Sequence, residues 1–177
     1  MTLTAELVAC GAVRFGSFTL TSGRQSPYYV DVKQATSRPR VLRLIAKEMA
    51  AKAKGYDVVA GVELGAVPIL VAVGLEADLP MAIVRKGERT HGTGKRIEGS
   101  DVANKRVFLV EDVTTTGKSV LEGLRVLREA GANVDKVCSV VDRAEGATDA
   151  LAAQQCRLEA LVSAKELLAM SAKGATH

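Results

Sequence analysis

Apolar residues fall into short unbroken blocks along most of the chain, and these alternate with stretches whose apolar positions recur at helical spacing. Residues 57–62, 81–84, 107–110 and 136–141 are near-continuous aliphatic runs, as expected of strands buried on both faces. Residues 67–75 and 118–130 read as helices; in the second, Val120, Leu121, Leu124 and Leu127 supply the apolar face and Gly131 closes it. A further helix is expected over 38–54, with Val41, Leu44, Ile45 and Met49 on one face, Pro39 near its start and Gly55 at its end. Residues 2–11 suit another helix, and turn signals fall at Ser22-Gly23 and Ser26-Pro27. Ser163-Ala-Lys-Glu166 has capping-box spacing and opens a last short helix. Such alternation implies an α/β fold, a parallel sheet flanked by helices. Open sheets of this kind gather ligands at the carboxyl ends of their strands. Four segments fall there: 63–66, Arg85 onward, Glu111 onward, and Asp142-Arg143.

No repeat, low-complexity tract or linker divides the 177 residues, so one domain spanning 1–177 is expected. With 47% hydrophobic residues, 3% aromatics and no Trp, its core should be aliphatic. The same shortage of aromatics leaves few stacking platforms for single-stranded nucleic acid. The longest apolar stretch, 67–75, is too short to span a membrane, and no secretory signal is visible at the N-terminus. Cys10, Cys138 and Cys156 are odd in number and dispersed, which suits small buried hydrophobes in a reducing compartment; a cytoplasmic location is expected. The net charge of +4 and pI near 9.0 suit a polyanionic small molecule as well as nucleic acid. The small molecule is favoured, with no nucleic acid or membrane partner.

The densest chemistry lies in Val107-Phe-Leu-Val-Glu-Asp-Val-Thr-Thr-Thr-Gly-Lys-Ser119. A strand delivers the adjacent carboxylates Glu111 and Asp112, and a hydroxyl-rich turn from Thr114 to Ser119 leads into a helix. Backbone N–H groups at such a turn cradle phosphate. The carboxylates suit sugar hydroxyls or a metal-bound sugar, so a phosphorylated sugar is the first ligand to consider. A nucleoside-triphosphate loop is excluded: it requires glycine five residues before Gly117, where this chain has Asp112. The other Gly-Lys pair, Gly94-Lys95, has Arg89 at that place and Arg96 where Ser or Thr is required.

The segment from Arg85 to Arg96 is too rich in glycine and charge for a helix. It combines Gly87, Gly92 and Gly94 with Arg85, Lys86, Arg89 and His91, a composition suited to a lid closing over an anion, or more simply to a basic surface loop. His91 and the terminal His177 are the only histidines, which leaves little basis for Ser–His or multi-histidine metal chemistry.

Residues 107–119 resemble the donor-binding signature of the type I phosphoribosyltransferases. With Phe18-Thr-Leu-Thr-Ser-Gly-Arg-Gln-Ser-Pro-Tyr-Tyr29, the lid and Val141-Asp-Arg-Ala-Glu-Gly146, they are similar in order and register to the orotate phosphoribosyltransferases, from about Phe15 to Gly146. The resemblance implies a small N-terminal hood, mainly 1–38, on a core of about 39–177. It also implies transfer of 5-phosphoribosyl from its 1-diphosphate to orotate, with Mg²⁺, in pyrimidine biosynthesis. Glu111 and Asp112 would hold the ribose hydroxyls, with Val113 between them and the turn. Thr114, Thr115, Thr116, Gly117, Lys118 and Ser119 would wrap the 5′-phosphate. Residues 63–66 would form the pyrophosphate loop, where family members hold a strained peptide. Arg85, Lys86, Arg89 and His91 would close over the pyrophosphate, with Lys86, Arg89 and His91 as catalytic candidates. Thr115 and Arg143 would contact orotate, Arg143 pairing its carboxylate in a planar fork. Mg²⁺ would come with the substrate, Asp112 being its candidate protein contact. A homodimer is implied, each lid serving the neighbouring site.

Three positions depart from the pattern: Thr21, Gly65 and Arg89 stand where lysines are often found. Arginine keeps the charge but cannot readily give up a proton, so His91 or solvent is the better proton source. Other readings stay open: a phosphoribosyltransferase for another base, a regulator of this fold that binds RNA or DNA, and an ordinary salt bridge from Arg143 to Asp142 or Glu145.

Overall fold

The computed structural model describes residues 2–19, 25–87 and 96–174, with side chains as far as Met170. Helix α1 (Leu3–Ala9) starts at Thr2, whose hydroxyl accepts the Ala5 N–H at 3.3 Å. Strands β1 (Val13–Thr19) and β2 (Gln25–Val30) pair antiparallel in a sheet of their own, with Val13 opposite Val30. After α2 (Lys33–Thr36) and α3 (Pro39–Ala50) the main alternation begins. It runs through β3 (Val58–Val62), α4 (Val67–Ala77), β4 (Met81–Val84), β5 (Ile97–Gly99), β6 (Val107–Thr114) and α5 (Lys118–Glu129). It finishes with β7 (Lys136–Asp142), α6 (Ala147–Ala152), β8 (Arg157–Ser163) and α7 (Ala164–Gly174).

These strands form a six-stranded sheet in the order β5-β4-β3-β6-β7-β8, parallel except at β5, which runs antiparallel to β4. From β3 the chain first steps outward to β4, then returns to lay β6 on the other side of β3. The carboxyl ends of β3 and β6 therefore flank the switch point where a doubly wound sheet opens a crevice.

Period-two alternation assigns each strand residue to one of two cores. Val59, Phe108, Val110 and Val140 join Leu7, Ile45, Met49 and Ile69 on one face. Val58, Ala60, Val62 and Leu109 join Leu124, Leu127 and Leu151 on the other. Val13 and Tyr28 of the small sheet and Leu167 of α7 belong to the first core, so the N-terminal segment is packed onto the same face as α3 and α4. Both cores are mainly aliphatic, as the composition implies, and the buried aromatics Tyr28, Tyr56 and Phe108 all lie in the first.

The expected strands at β3, β4 and β7 and the helices at α1, α3, α4 and α5 are all present. The capping box is formed: Glu166 accepts the Ser163 N–H at 2.8 Å, and the Ser163 hydroxyl accepts the Glu166 N–H at 3.3 Å. Three differences stand out. β6 runs on to Thr114 rather than ending at Val110, because β7 stays paired with it. β8 lies at the sheet edge with most positions only partly buried, so it never shows a continuous apolar run. β5 has three residues, two of them exposed, too little pattern for any periodicity to reveal.

The three cysteines are unpaired. Burial pushes the Cys138 thiol up to about 12 and that of Cys156 up to about 11, so both stay protonated and behave as small hydrophobes. Among the described residues, no helix is long and apolar enough to cross a membrane.

Candidate active site

The extended β6 carries both carboxylates inside the sheet's ladder, with Glu111 opposite Ser139 and Thr114 opposite Asp142. Glu111 is only 5% exposed. Its Oε1 accepts the Asp112 N–H at 3.0 Å, while Oε2 is buried with no hydrogen-bond partner among the described residues. The Asp112 Oδ1 accepts the Val113 N–H at 2.7 Å. Loss of hydration, reinforced by the neighbouring Asp112 carboxyl, holds the Glu111 carboxyl well above the usual carboxylate range; the Lys86 charge pulls weakly the other way.

Past Thr114 the chain turns into α5. Gly117 holds φ at 83°, and a Cβ there would press on Ala147 of α6 at 3.3 Å, so glycine serves both the left-handed turn and the close approach. Gly117 caps α5 without any side-chain acceptor. The first N–H groups of the helix consequently lack intrahelical partners and present the positive end of its dipole. Thr116 and Lys118 are exposed there, Thr115 and Ser119 half-buried, and Thr114 fully buried. The turn, Val113, Glu111, Arg85 and Lys86 border one cavity of about 430 Å³, whose far wall includes Arg96 and Glu122.

Across the switch point, the β3–α4 turn contributes Glu63, joined to Leu64 by a cis peptide. Glu63 Oε1 accepts the Lys86 N–H at 2.6 Å, and Oε2 lies 3.4 Å from Arg85 Nε. Arg85 also reaches Glu98 at 3.0 Å, so this cation is held by two carboxylates, whereas the Lys86 side chain is exposed and unpaired among the described residues. A Cβ on Gly65 would lie 2.1 Å from Asp112 Oδ2. The carboxylate therefore occupies the space that a side chain at 65 would need. Arg89, His91 and Thr21 lie outside the described residues.

The turn after β7 is fastened to the phosphate-type turn. The Arg143 N–H donates to the Thr114 carbonyl at 2.9 Å, the Ala147 N–H to the Thr115 carbonyl at 3.0 Å, and the Thr114 hydroxyl to Asp142 Oδ1 at 2.9 Å. The Arg143 side chain is 10% exposed. Its Nη2 donates to the Ser26 hydroxyl at 3.3 Å, and its guanidinium carbon stands 5.3 Å from the centre of the Tyr28 ring. Nε lies 3.0 Å from Glu145, near enough for charge pairing but misaligned for a hydrogen bond. The ion pair weighed in the sequence thus exists, yet in a half-enclosed niche rather than on open surface.

The structure brings Glu111, Asp112, Val113, the 114–119 turn, Arg85, Lys86 and Arg143 to the carboxyl end of the sheet. The contacts of Ser26 and Tyr28 with Arg143 were missed by sequence reasoning. Their only signal was the Ser26-Pro-Tyr-Tyr29 segment, which assigned them no role. Among the described residues, no group of three or more His, Cys, Asp or Glu comes together as a protein-only metal site.

Residues 32–155 match the phosphoribosyl transferase domain family. The orotate phosphoribosyltransferase of Methanosarcina mazei is 49% identical over 168 residues, 94% of this chain and 90% of that relative. That of Methanoculleus marisnigri is 52% identical over 162 residues, 92% of this chain and 94% of its own. Among solved structures, the orotate phosphoribosyltransferase from Aeropyrum pernix superposes with a TM-score of 0.83 at 30% identity, covering 98% of this chain and 99% of the other.

The buried Glu111 makes stability depend on pH in a defined sense. Its folded-state value is raised, so its contribution is complete below the ordinary carboxylate range and is lost as pH rises toward the raised value. Glu111→Gln removes the ionisable group while keeping its shape. At pH 8 the variant should be more stable than wild type by about 1–3 kcal/mol, with the gap closing near pH 4. Denaturant titrations across that range measure it; a variant less stable at pH 8 would contradict the burial argument.

Proposed function

The chain belongs to the orotate phosphoribosyltransferase family, and from that membership we propose how its residues divide the work of moving 5-phosphoribosyl from its 1-diphosphate to orotate. The observation carrying the proposal is the joining of the 114–119 turn to the Arg143 turn by the two backbone hydrogen bonds at Thr114 and Thr115. One fastened unit then addresses both the 5′-phosphate and the acceptor base.

The N–H groups and hydroxyls from Thr114 to Ser119 hold the 5′-phosphate, with the α5 dipole adding attraction. Glu111 and Asp112 accept the ribose hydroxyls. Breaking the anomeric bond builds positive charge on the ribose and negative charge on the leaving diphosphate. Lys86, with Arg85, Arg89 and His91 closing from the lid, stabilises those leaving oxygens more in the transition state than in the ground state. His91 or solvent supplies any proton the leaving group takes. Arg143 pairs the orotate carboxylate and Thr115 contacts the base.

Mg²⁺ fits this donor set: the carboxylate oxygens of Glu111 and Asp112 are hard ligands, and Mg²⁺ commonly takes one or two such groups with substrate oxygens. Asp112 would be its protein contact, and when bound the ion would supply charge neutralisation to the leaving diphosphate.

Residues 1–38 form the hood and 39–177 the core of one domain, supported by the core that Val13 and Tyr28 share with α3 and α4. A cytoplasmic location is supported by the unpaired cysteines. A homodimer sharing its lids is supported by the exposed apolar row Leu64, Val71 and Leu75 along α4, beginning in the pyrophosphate turn itself. Leu75→Glu should convert dimer to monomer in sedimentation velocity and lower turnover at least about tenfold, because a lid in trans is lost. A fully active wild-type monomer would contradict this.

With donor and Mg²⁺, a panel of bases should show orotate consumed; turnover with another base but not orotate would sink the substrate reading. Arg143→Ala should lower kcat/KM for orotate about 10- to 100-fold, with the KM for donor within about twofold. Equally small effects on both substrates would return Arg143 to a plain salt bridge.

A further inference from the structure

We propose that Ser26 and Tyr28 are positioning residues for base selection, holding the Arg143 guanidinium so that its remaining N–H edge meets the carboxylate of the base. The inference rests on the assignment of Arg143 to orotate made above. Ser26 and Tyr28 are two apart in β2, which places both on its buried face, while Pro27 and Tyr29 face outward. The Ser26 hydroxyl donates to the Tyr28 carbonyl at 2.6 Å. Its proton is thereby committed, and a lone pair is left to accept from Arg143 Nη2 at 3.3 Å. The Tyr28 ring lies against the guanidinium, 5.3 Å from centroid to central carbon, and Glu145 holds the Nε side at 3.0 Å.

The guanidinium is thus gripped at Nη2, at Nε and along one face. Nη1 and the second N–H of Nη2 form the edge of the fork that is left for a carboxylate. An arginine side chain has many rotamers to lose, and a plane fixed beforehand loses less entropy on pairing with a carboxylate. The grip comes from β2, far from Arg143 in sequence. The N-terminal segment therefore contributes to base recognition through Arg143, whatever it contacts directly.

The test is steady-state kinetics of Ser26→Ala, Tyr28→Phe and Tyr28→Leu, each alone and combined with Arg143→Ala. Tyr28→Leu should raise the KM for orotate about 3- to 30-fold, the range of a lost cation–π contact. Ser26→Ala should raise it about 2- to 10-fold. Tyr28→Phe keeps the ring but loses the phenol oxygen that also faces Arg143, so its rise should be smaller than that of Tyr28→Leu. The KM for donor should not move in any of them. In the Arg143→Ala background the β2 changes should add nothing.

Effects that persist in that background, or a donor KM that rises in step, would overturn the proposal while leaving the role of Arg143 intact. An unchanged orotate KM in Arg143→Ala alone would instead overturn the assignment beneath it. Tyr28 is 5% exposed, and should its leucine variant fail to fold, Ser26→Ala with and without Arg143→Ala decides the matter.

Discussion

Past Val110 the backbones of β6 and β7 stay paired as far as Thr114 and Asp142, and the chain beyond each strand is still fastened to the other. Thr114 gives its carbonyl to the Arg143 N–H at 2.9 Å and its hydroxyl to Asp142 at 2.9 Å, and Thr115 gives its carbonyl to Ala147 at 3.0 Å. Two turns that bind different ligands in the proposed reaction are joined into one body by these bonds. A transfer between two bound molecules depends on their mutual placement, and placement within a fraction of an ångström is worth several kcal/mol. Gly117 completes the fastening, because a Cβ there would press on Ala147 of α6 at 3.3 Å and would have to be carried in a left-handed turn.

Charge around this body is segregated. Glu111 and Asp112 crowd one side, where burial makes two ionised carboxylates costly and favours a ligand rich in hydroxyl donors. The opposite side gathers Arg85 and Lys86, with Arg85 already steadied by Glu63 and Glu98 and Lys86 left unpaired among the described residues. A sugar bearing hydroxyls on one edge and phosphates on the other matches that division.

Much of this was legible in the chain. The buried parallel strands read as continuous aliphatic runs, and the Glu111–Ser119 stretch showed its chemistry because its residue types sit next to one another. What stayed hidden depended on distance. The Ser26–Tyr28–Arg143 niche is assembled from segments more than a hundred residues apart. The reach of β6 to Thr114 is set by its partner strand, not by its own apolar pattern. β8, with Arg157 and Glu159 interrupting its apolar positions at the sheet edge, resembles a loop to any periodicity argument. The placement of Gly65 against Asp112 likewise becomes visible only when β3 and β6 lie side by side.

Asp142 tests the central claim most directly, because it touches no assigned ligand yet accepts from both the Thr114 hydroxyl at 2.9 Å and the Ala144 N–H at 3.2 Å. Steady-state kinetics of Asp142→Ala should show the KM for donor and the KM for orotate rising together, each about 5- to 10-fold, as expected for a lost, partly buried hydrogen bond shared by both turns. A rise confined to one substrate would mean that the two turns move independently, and would contradict the account.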